Sequence, residues 1–221
     1  MRQDMRKNGL KKLNIKMHII TSKDTNKLFP VFLKLEELNV LVVGGGKVGL
    51  EKLNAIINNS PATRVTIVAG NILEKIKKLA QKYPNILLRE KNFEPADLND
   101  KDIVIVAIND KTTSSYIRAI AKEKKVLANV ADKPGLCDFY LSSVVQKGNL
   151  KIAISTNGKS PTMAKRLKET LDDVLPNKLD KILTNMETIR KNMNGNFADK
   201  VKKLNKVTKL LACKNKTKKN K

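Results

Sequence analysis

The sequence predicts an α/β fold: a Rossmann-like doubly wound parallel sheet, followed by a small α+β unit and a helical C-terminal region. Three observations carry that prediction. A short β-branched apolar run, Asn39-Val40-Leu41-Val42-Val43, ends on the turn Gly44-Gly45-Gly46-Lys47-Val48-Gly49. From Val40 to Ala131, apolar runs suited to strands buried on both faces alternate with stretches of helical periodicity. At Lys133-Pro134-Gly135 a turn signal ends the alternation, and a different pattern follows.

Taken in order, residues 1–26 are polar and Lys-rich and read as a flexible basic extension, with Met17 as a candidate biological start. Leu28-Phe29-Pro30-Val31-Phe32-Leu33 is an apolar run broken by Pro30, expected along the sheet edge and in the core. Residues 47–58 place Val48, Leu50, Leu53, Ile56 and Ile57 at helical spacing. Residues 64–68 read as a strand, 72–82 as an amphipathic helix and 85–89 as a short strand. A buried strand at 103–107 precedes a helix at 112–124, and 126–131 reads as the next strand. Beyond the turn, Phe139-Tyr140-Leu141 and residues 150–155 look strand-like. Ser160 and Pro161 have the N-cap and N1 signature of a helix running to about Leu175. Two more amphipathic stripes follow, Leu179 to Met193 and Val201 to Leu211, and residues 213–221 form a basic tail.

The glycine turn has the spacing G-x-G-x-x-G, between a strand and a helix. The first glycine permits a tight turn, the second lets backbone approach a pyrophosphate, and the third lets helix pack on strand. The following helix presents unpaired N–H groups and the positive end of its dipole to a phosphate. A glycine-rich connection without a ligand is the bland alternative. The second strand ends on Ala69-Gly70-Asn71, without the acid that usually takes both ribose hydroxyls of NAD. Asn71 or the Gly70 backbone stands in its place, so NAD against NADP is open. Arg64 and Lys75 are either partners for a 2′-phosphate or solvated surface charge.

Ligands in such sheets collect at the carboxyl ends of strands. That rule gathers Gly44, Gly70, Asn109, Asp110 and Asp132 around one crevice, with Asn109 and Asp110 facing the cofactor. Asp132, after a strand on the ligand side, is either a general base, helped by partial burial, or a carboxylate capping the turn before Pro134.

The net charge of +24 raises nucleic acid as a partner, but the lysines are scattered rather than gathered on one stripe. With 4% aromatic residues and no Trp, base-stacking platforms are not expected, whereas a small polyanionic substrate suits a basic cleft. One histidine, His18, and two cysteines, Cys137 and Cys213, provide no zinc-ligand spacing, so no metal site is assigned. No apolar stretch is long enough for a membrane span, and the basic N-terminus lacks the apolar core of a secretory signal; the expectation is a cytoplasmic protein.

Four segments together resemble the precorrin-2 dehydrogenase / sirohydrochlorin ferrochelatase family, which includes the N-terminal module of bifunctional siroheme synthases. They are Gly44-Gly45-Gly46-Lys47-Val48, Ala107-Ile108-Asn109-Asp110, Asn129-Val130-Ala131-Asp132 and Ser155-Thr156-Asn157-Gly158-Lys159-Ser160-Pro161. The resemblance implies an NAD-binding domain at 27–133, a central dimerisation segment at 134–160, a helical region at 161–212 and a homodimer. It implies NAD-dependent oxidation of precorrin-2 to sirohydrochlorin and, in some members, Fe²⁺ insertion at the same site to give siroheme. The family aspartate falls on Asp132, and NAD contacts fall on Lys47, Val48, Gly70 and Asn71. The sequence departs from many relatives at Gly49 (often Ala), Glu51 (often Arg) and Thr156 (a serine in some, sometimes phosphorylated). No large methyltransferase domain follows, so methylation of uroporphyrinogen is not expected. A non-catalytic nucleotide- or nucleic-acid-binding regulator is the competing reading.

Overall fold

A computed structural model describes residues 25–176, 179–192, 198–202 and 204–205. His18, Cys213, the expected extension up to residue 24, the basic tail and the stripe beyond residue 205 lie outside the described residues.

The chain divides into two units, 1–31 and 32–221. In the first, the described stretch 25–31 belongs to no strand or helix, and Phe29 is 86% exposed. In the second, Phe32 and Leu33 are exposed as well. The expectation that residues 28–33 pack in the core therefore fails. Pro30 removes a backbone donor in the middle of the run, so the segment cannot extend a ladder there.

The second unit is built on five parallel strands, β1 (Asn39–Gly45), β2 (Arg64–Ile72), β3 (Ile86–Arg89), β4 (Ile103–Val106) and β5 (Leu127–Val130), in the order β3-β2-β1-β4-β5. The crossover helices are α1 (Lys47–Asn59) between β1 and β2, α2 (Glu74–Lys82) between β2 and β3, and α3 (Lys111–Glu123) between β4 and β5. The period-two alternation of a strand sends Val40 and Val42 to one face and Leu41 and Val43 to the other. The first pair packs with Leu53, Ile56 and Ile57 of α1 and Ile76 of α2. The second packs with Ile117 and Ala121 of α3 and with Leu98. Both faces are covered, which is why these strands read as continuous apolar runs rather than alternating ones.

Beyond the sheet, β6 (Ser143–Lys147) and β7 (Leu150–Ile154) form an antiparallel hairpin. Gly148 takes φ +60° at the first of its two central turn positions, where a II′ turn requires glycine. Helix α4 (Pro161–Val174) packs on the hairpin through buried Ala164 and Val145, and α5 (Leu179–Asn192) follows. Asp180 of α5 accepts hydrogen bonds from the backbone N–H of Asn149 (2.9 Å) and from its Nδ2 (2.8 Å), which ties the hairpin turn to that helix. Lys151 Nζ donates to the carbonyl of Asn59 (2.5 Å), satisfying a C-terminal carbonyl of α1.

The strand expected at Phe139-Tyr140-Leu141 is not formed; the ladder starts at Ser143. Those residues instead end a loop held on β5: Asp138 N–H donates to Ala128 O (2.8 Å), and Asp138 Oδ2 accepts from Ala128 N–H (2.9 Å). Asp138 therefore occupies the outer edge of β5 in place of a sixth strand.

Candidate functional site

The topology reverses between β1 and β4, since the chain leaves β1 toward β2 on one side and returns to β4 on the other. The crevice outside the carboxyl ends of these two strands is where such sheets bind ligands. Gly44 sits there with φ +122°, and a Cβ on it would collide with the carbonyl of Ala107, directly after β4. A Cβ on Gly45 would strike Asn71 O, and one on Gly49 would strike Gly44 O. These glycines are demanded by close backbone packing. At Gly49 the demand has a local cause: α1 lies too close to the turn for a methyl group.

Gly46 is different, because a Cβ there meets nothing within 4 Å. It is the N-cap of α1 and faces open space beside Lys47 and Val48, with Leu50 N–H making the first helical bond to Gly46 O (2.9 Å). The N–H groups of the first turn are left for a ligand. The second glycine of the motif is thus spared by the protein's own packing, as expected where backbone must approach a pyrophosphate.

At the end of β2 the pairing with β1 breaks register: Val43 faces Val68, but Gly45 faces Ile72. Ala69, Gly70 and Asn71 are looped out in between, with Gly70 and Asn71 exposed. This tip lies beside Gly45 at the same sheet edge. Arg64 is at the opposite end of β2, where its Nε donates to Asn39 Oδ1 (2.8 Å), so it cannot serve a 2′-phosphate at the tip.

After β4, Asn109 is exposed and Asp110 is the N-cap of α3, accepting from Thr113 N–H (2.6 Å). The Thr113 side chain first, then that backbone N–H, with the Lys133 charge as a smaller contributor, hold the Asp110 carboxyl below its ordinary range. Its carbonyl accepts from the hydroxyl of buried Ser114 (2.5 Å), which in turn accepts from Lys133 Nζ (3.1 Å). Lys133 therefore links the turn after β5 to the start of α3.

Asp132 occupies that turn at φ +57°, between Ala131, whose N–H bonds Val106 O (3.0 Å), and Lys133, whose N–H bonds Val130 O (3.2 Å). The left-handed conformation is one that Asp tolerates better than most residues. Its carboxylate is exposed, so the partial burial expected for it is absent from this chain. Nearby, Asn129 is buried and donates to Phe139 O (2.8 Å), so it braces the loop rather than facing the crevice. The Cys137 thiol, pushed up chiefly by burial, lies against Val130 and Lys133 on the inner side of the same loop.

The structure thus brings Gly44, Gly45, Gly46, Lys47, Val48 and Gly49 to one sheet edge with Gly70, Asn71, Asn109, Asp110 and Asp132. Sequence reasoning missed the link from Lys133 to Ser114 and, on the loop after β3, the buried carboxylate of Asp97. Asp97 is 3% exposed and accepts from Glu94 N–H (2.9 Å), Lys91 Nζ (3.1 Å) and Arg89 Nη1 (3.3 Å). Burial works to raise its pKa, but these donors outweigh it and the carboxyl titrates below its usual range. The acidic residue three positions after Glu94 at a helical start was the available signal. No group of three or more His, Cys, Asp or Glu among the described residues is arranged to hold a metal ion.

A doubly wound sheet with a glycine turn at its switch point, open at the second glycine, defines a dinucleotide-binding protein. Comparison with known proteins specifies the family. Residues 31–143 match the model described as "Putative NAD(P)-binding", and residues 147–173 match "Sirohaem biosynthesis protein central". The first match spans more than half of the chain, which belongs to this NAD(P)-binding family and carries its sirohaem-biosynthesis central segment. The siroheme synthase of Vesicomyosocius okutanii subsp. Calyptogena okutanii is 31% identical over 173 residues, covering 78% of this chain and 35% of that protein. The siroheme synthase of Buchnera aphidicola subsp. Acyrthosiphon pisum is 33% identical over 150 residues, covering 68% of this chain and 31% of its own. The chain spans about a third of the length of these relatives. Among solved structures, "SirC, precorrin-2 dehydrogenase" has a TM-score of 0.66 at 23% identity, covering 81% of this chain and 89% of that one, which confirms the fold.

Proposed function

We propose that this chain oxidises precorrin-2 to sirohydrochlorin with NAD in siroheme biosynthesis, using Asp132 as the proton acceptor. The observation that carries this reading is the convergence at one sheet edge of an open dinucleotide cradle and an exposed carboxylate. NAD, when bound, supplies a hydride acceptor. Gly46 and the α1 N-terminus would hold its pyrophosphate, with Lys47 and Val48 flanking it and the Gly70-Asn71 tip beside its ribose. Removal of two hydrogens from the substrate sends one as hydride to the nicotinamide ring and one as a proton to a base. Asp132 reaches solvent, so it can take that proton and release it. The polycarboxylate substrate suits a chain of net charge +24.

Support also comes from relatives named siroheme synthase and from the fold shared with a precorrin-2 dehydrogenase. The relatives' name extends the proposal to Fe²⁺ insertion at the same crevice, with the tetrapyrrole nitrogens as ligands to the incoming ion. It further includes a homodimer, through the apolar side chains Met163, Leu167 and Val174 that α4 leaves exposed, and a cytoplasmic location. Among the described residues no helix is long and apolar enough to cross a membrane.

The test is to mix purified protein with precorrin-2 and NAD and to follow NADH and the sirohydrochlorin spectrum together. Both should appear, and Asp132→Ala should lose about 100-fold or more in turnover, the scale of general-base catalysis. Full activity of that variant would remove Asp132 from the mechanism. Anaerobic Fe²⁺ uptake by sirohydrochlorin at the protein-free rate would remove metal insertion. Salt-sensitive binding to duplex DNA without any NAD binding would favour the regulator reading instead.

A further inference from the structure

We infer that Asn92, on the loop after β3, reads the adenosine ribose at the β2 tip, and that its neutral amide lets the site accept a 2′-phosphate as well as a 2′-hydroxyl. The inference rests on the dinucleotide reading above and deepens it. In this fold class the residue at the end of the second strand decides between the two nucleotides. A carboxylate there binds both ribose hydroxyls and repels a phosphate. Here the tip is Gly70-Asn71, looped out by the register break against β1. A Cβ on Gly70 would lie 3.0 Å from Asn92 Oδ1, so the carboxamide of Asn92 stands over the tip in the place a Gly70 side chain would fill. Asn92 is exposed, and its carboxamide has no hydrogen-bond partner among the described residues.

The acids of the same loop are paired, although Glu90 also accepts from the backbone N–H of Ile72 beside the tip. Glu90 pairs with Lys77 (3.0 Å), Glu94 with Lys91 (2.8 Å), and Asp97 with Lys91 and Arg89. Each negative charge has a cation beside it, and buried Asp97 fixes the course of the loop that carries Asn92. Glu74 stands past Ile72, where the chain has re-entered the sheet, in the first turn of α2 where a helix dipole favours an acid. The side chain over Gly70 itself is an amide, which donates and accepts hydrogen bonds without carrying charge. Such a group bonds a ribose hydroxyl or a phosphate oxygen and offers neither a charge penalty.

The experiment is direct titration of the full chain with NAD and with NADP, read by calorimetry and by thermal shift, without substrate. The wild type should bind the two with dissociation constants within about tenfold of each other. Asn92→Asp should weaken NADP by about tenfold or more while NAD is held or tightened, because a carboxylate opposes the phosphate. Glu74→Gln should leave the ratio unchanged. If Asn92→Asp fails to fold, Asn92→Ala takes its place and should weaken both nucleotides by a similar factor. A wild-type preference above about 100-fold, or a ratio that moves with Glu74→Gln and not with Asn92→Asp, overturns the inference while leaving the dinucleotide site standing. Absence of binding by either nucleotide overturns both.

Discussion

The two sides of the crevice are built by different means. On the β1 side the glycine turn is held by backbone against backbone: Gly44 on Ala107, Gly45 on Asn71, Gly49 on Gly44. On the β5 side the turn with Asp132 is held by hydrogen bonds, from the backbone N–H groups of Ala131 and Lys133 and from side chains, through Lys133 on Ser114 and Asp138 on the edge of β5. Close backbone packing tolerates no substitution but gives a rigid cradle, which suits a cofactor of constant shape. A turn secured by hydrogen bonds keeps a carboxylate exposed in a strained conformation, which suits a group that must meet a substrate and exchange a proton.

The largest effect that breaks this contrast is expected at Gly44. Gly44→Ala combines φ +122° with a collision against the Ala107 carbonyl, and should cost about 3 kcal/mol or more in chemical denaturation. Gly46→Ala, with open space around it, should change the denaturation midpoint little and weaken NAD binding instead. Equal stability losses at the two positions would mean that packing alone accounts for both glycines.

Next comes Asp97→Asn, which removes the buried negative charge facing Lys91 and Arg89 and one of its two acceptor oxygens, and should cost about 2 kcal/mol. Because the folded-state pKa of Asp97 lies below its unfolded value, the stabilisation is fully present above the ordinary carboxylate range. It is lost as pH falls through the folded pKa. Urea unfolding at pH 7 and near pH 3 should therefore show the gap between wild type and variant narrowing in acid; a constant gap would contradict the ionic account.

A smaller loss, about 1 kcal/mol, is expected for Ser160→Ala, since Ser160 Oγ accepts from Met163 N–H (3.1 Å) at the N-cap of α4. The smallest change runs the other way. Asp132→Gly relieves the left-handed conformation and should raise stability by about 0.5 to 1 kcal/mol while turnover is lost. A destabilised Asp132→Gly would show that the carboxylate holds the turn rather than serving chemistry.

Much of this was legible in the residues. The runs at 39–43 and 103–106, the three-glycine spacing and the Ser160-Pro161 start are local signals, and each became the expected strand, turn or helix. Phe139-Tyr140-Leu141 was misread because aromatic residues favour strands wherever they find a partner, and here Asp138 had already taken the edge of β5. Residues 28–33 were misread because apolar composition does not say whether a core has room for them.

By itself, then, the sequence determined the order of strands and helices through β5, the tight glycine turn after β1 and the family resemblance, all of which depend on neighbours in the chain and on period. Only the tertiary structure decided that Gly46 alone of the motif faces open space, that Lys133 reaches Ser114, that Asp132 is exposed and that Asn92 stands over Gly70. These relations join residues 19 to 22 positions apart or more across a folded sheet, as with Ser114 to Lys133 and Gly70 to Asn92, and carry no periodicity for a linear reading to detect.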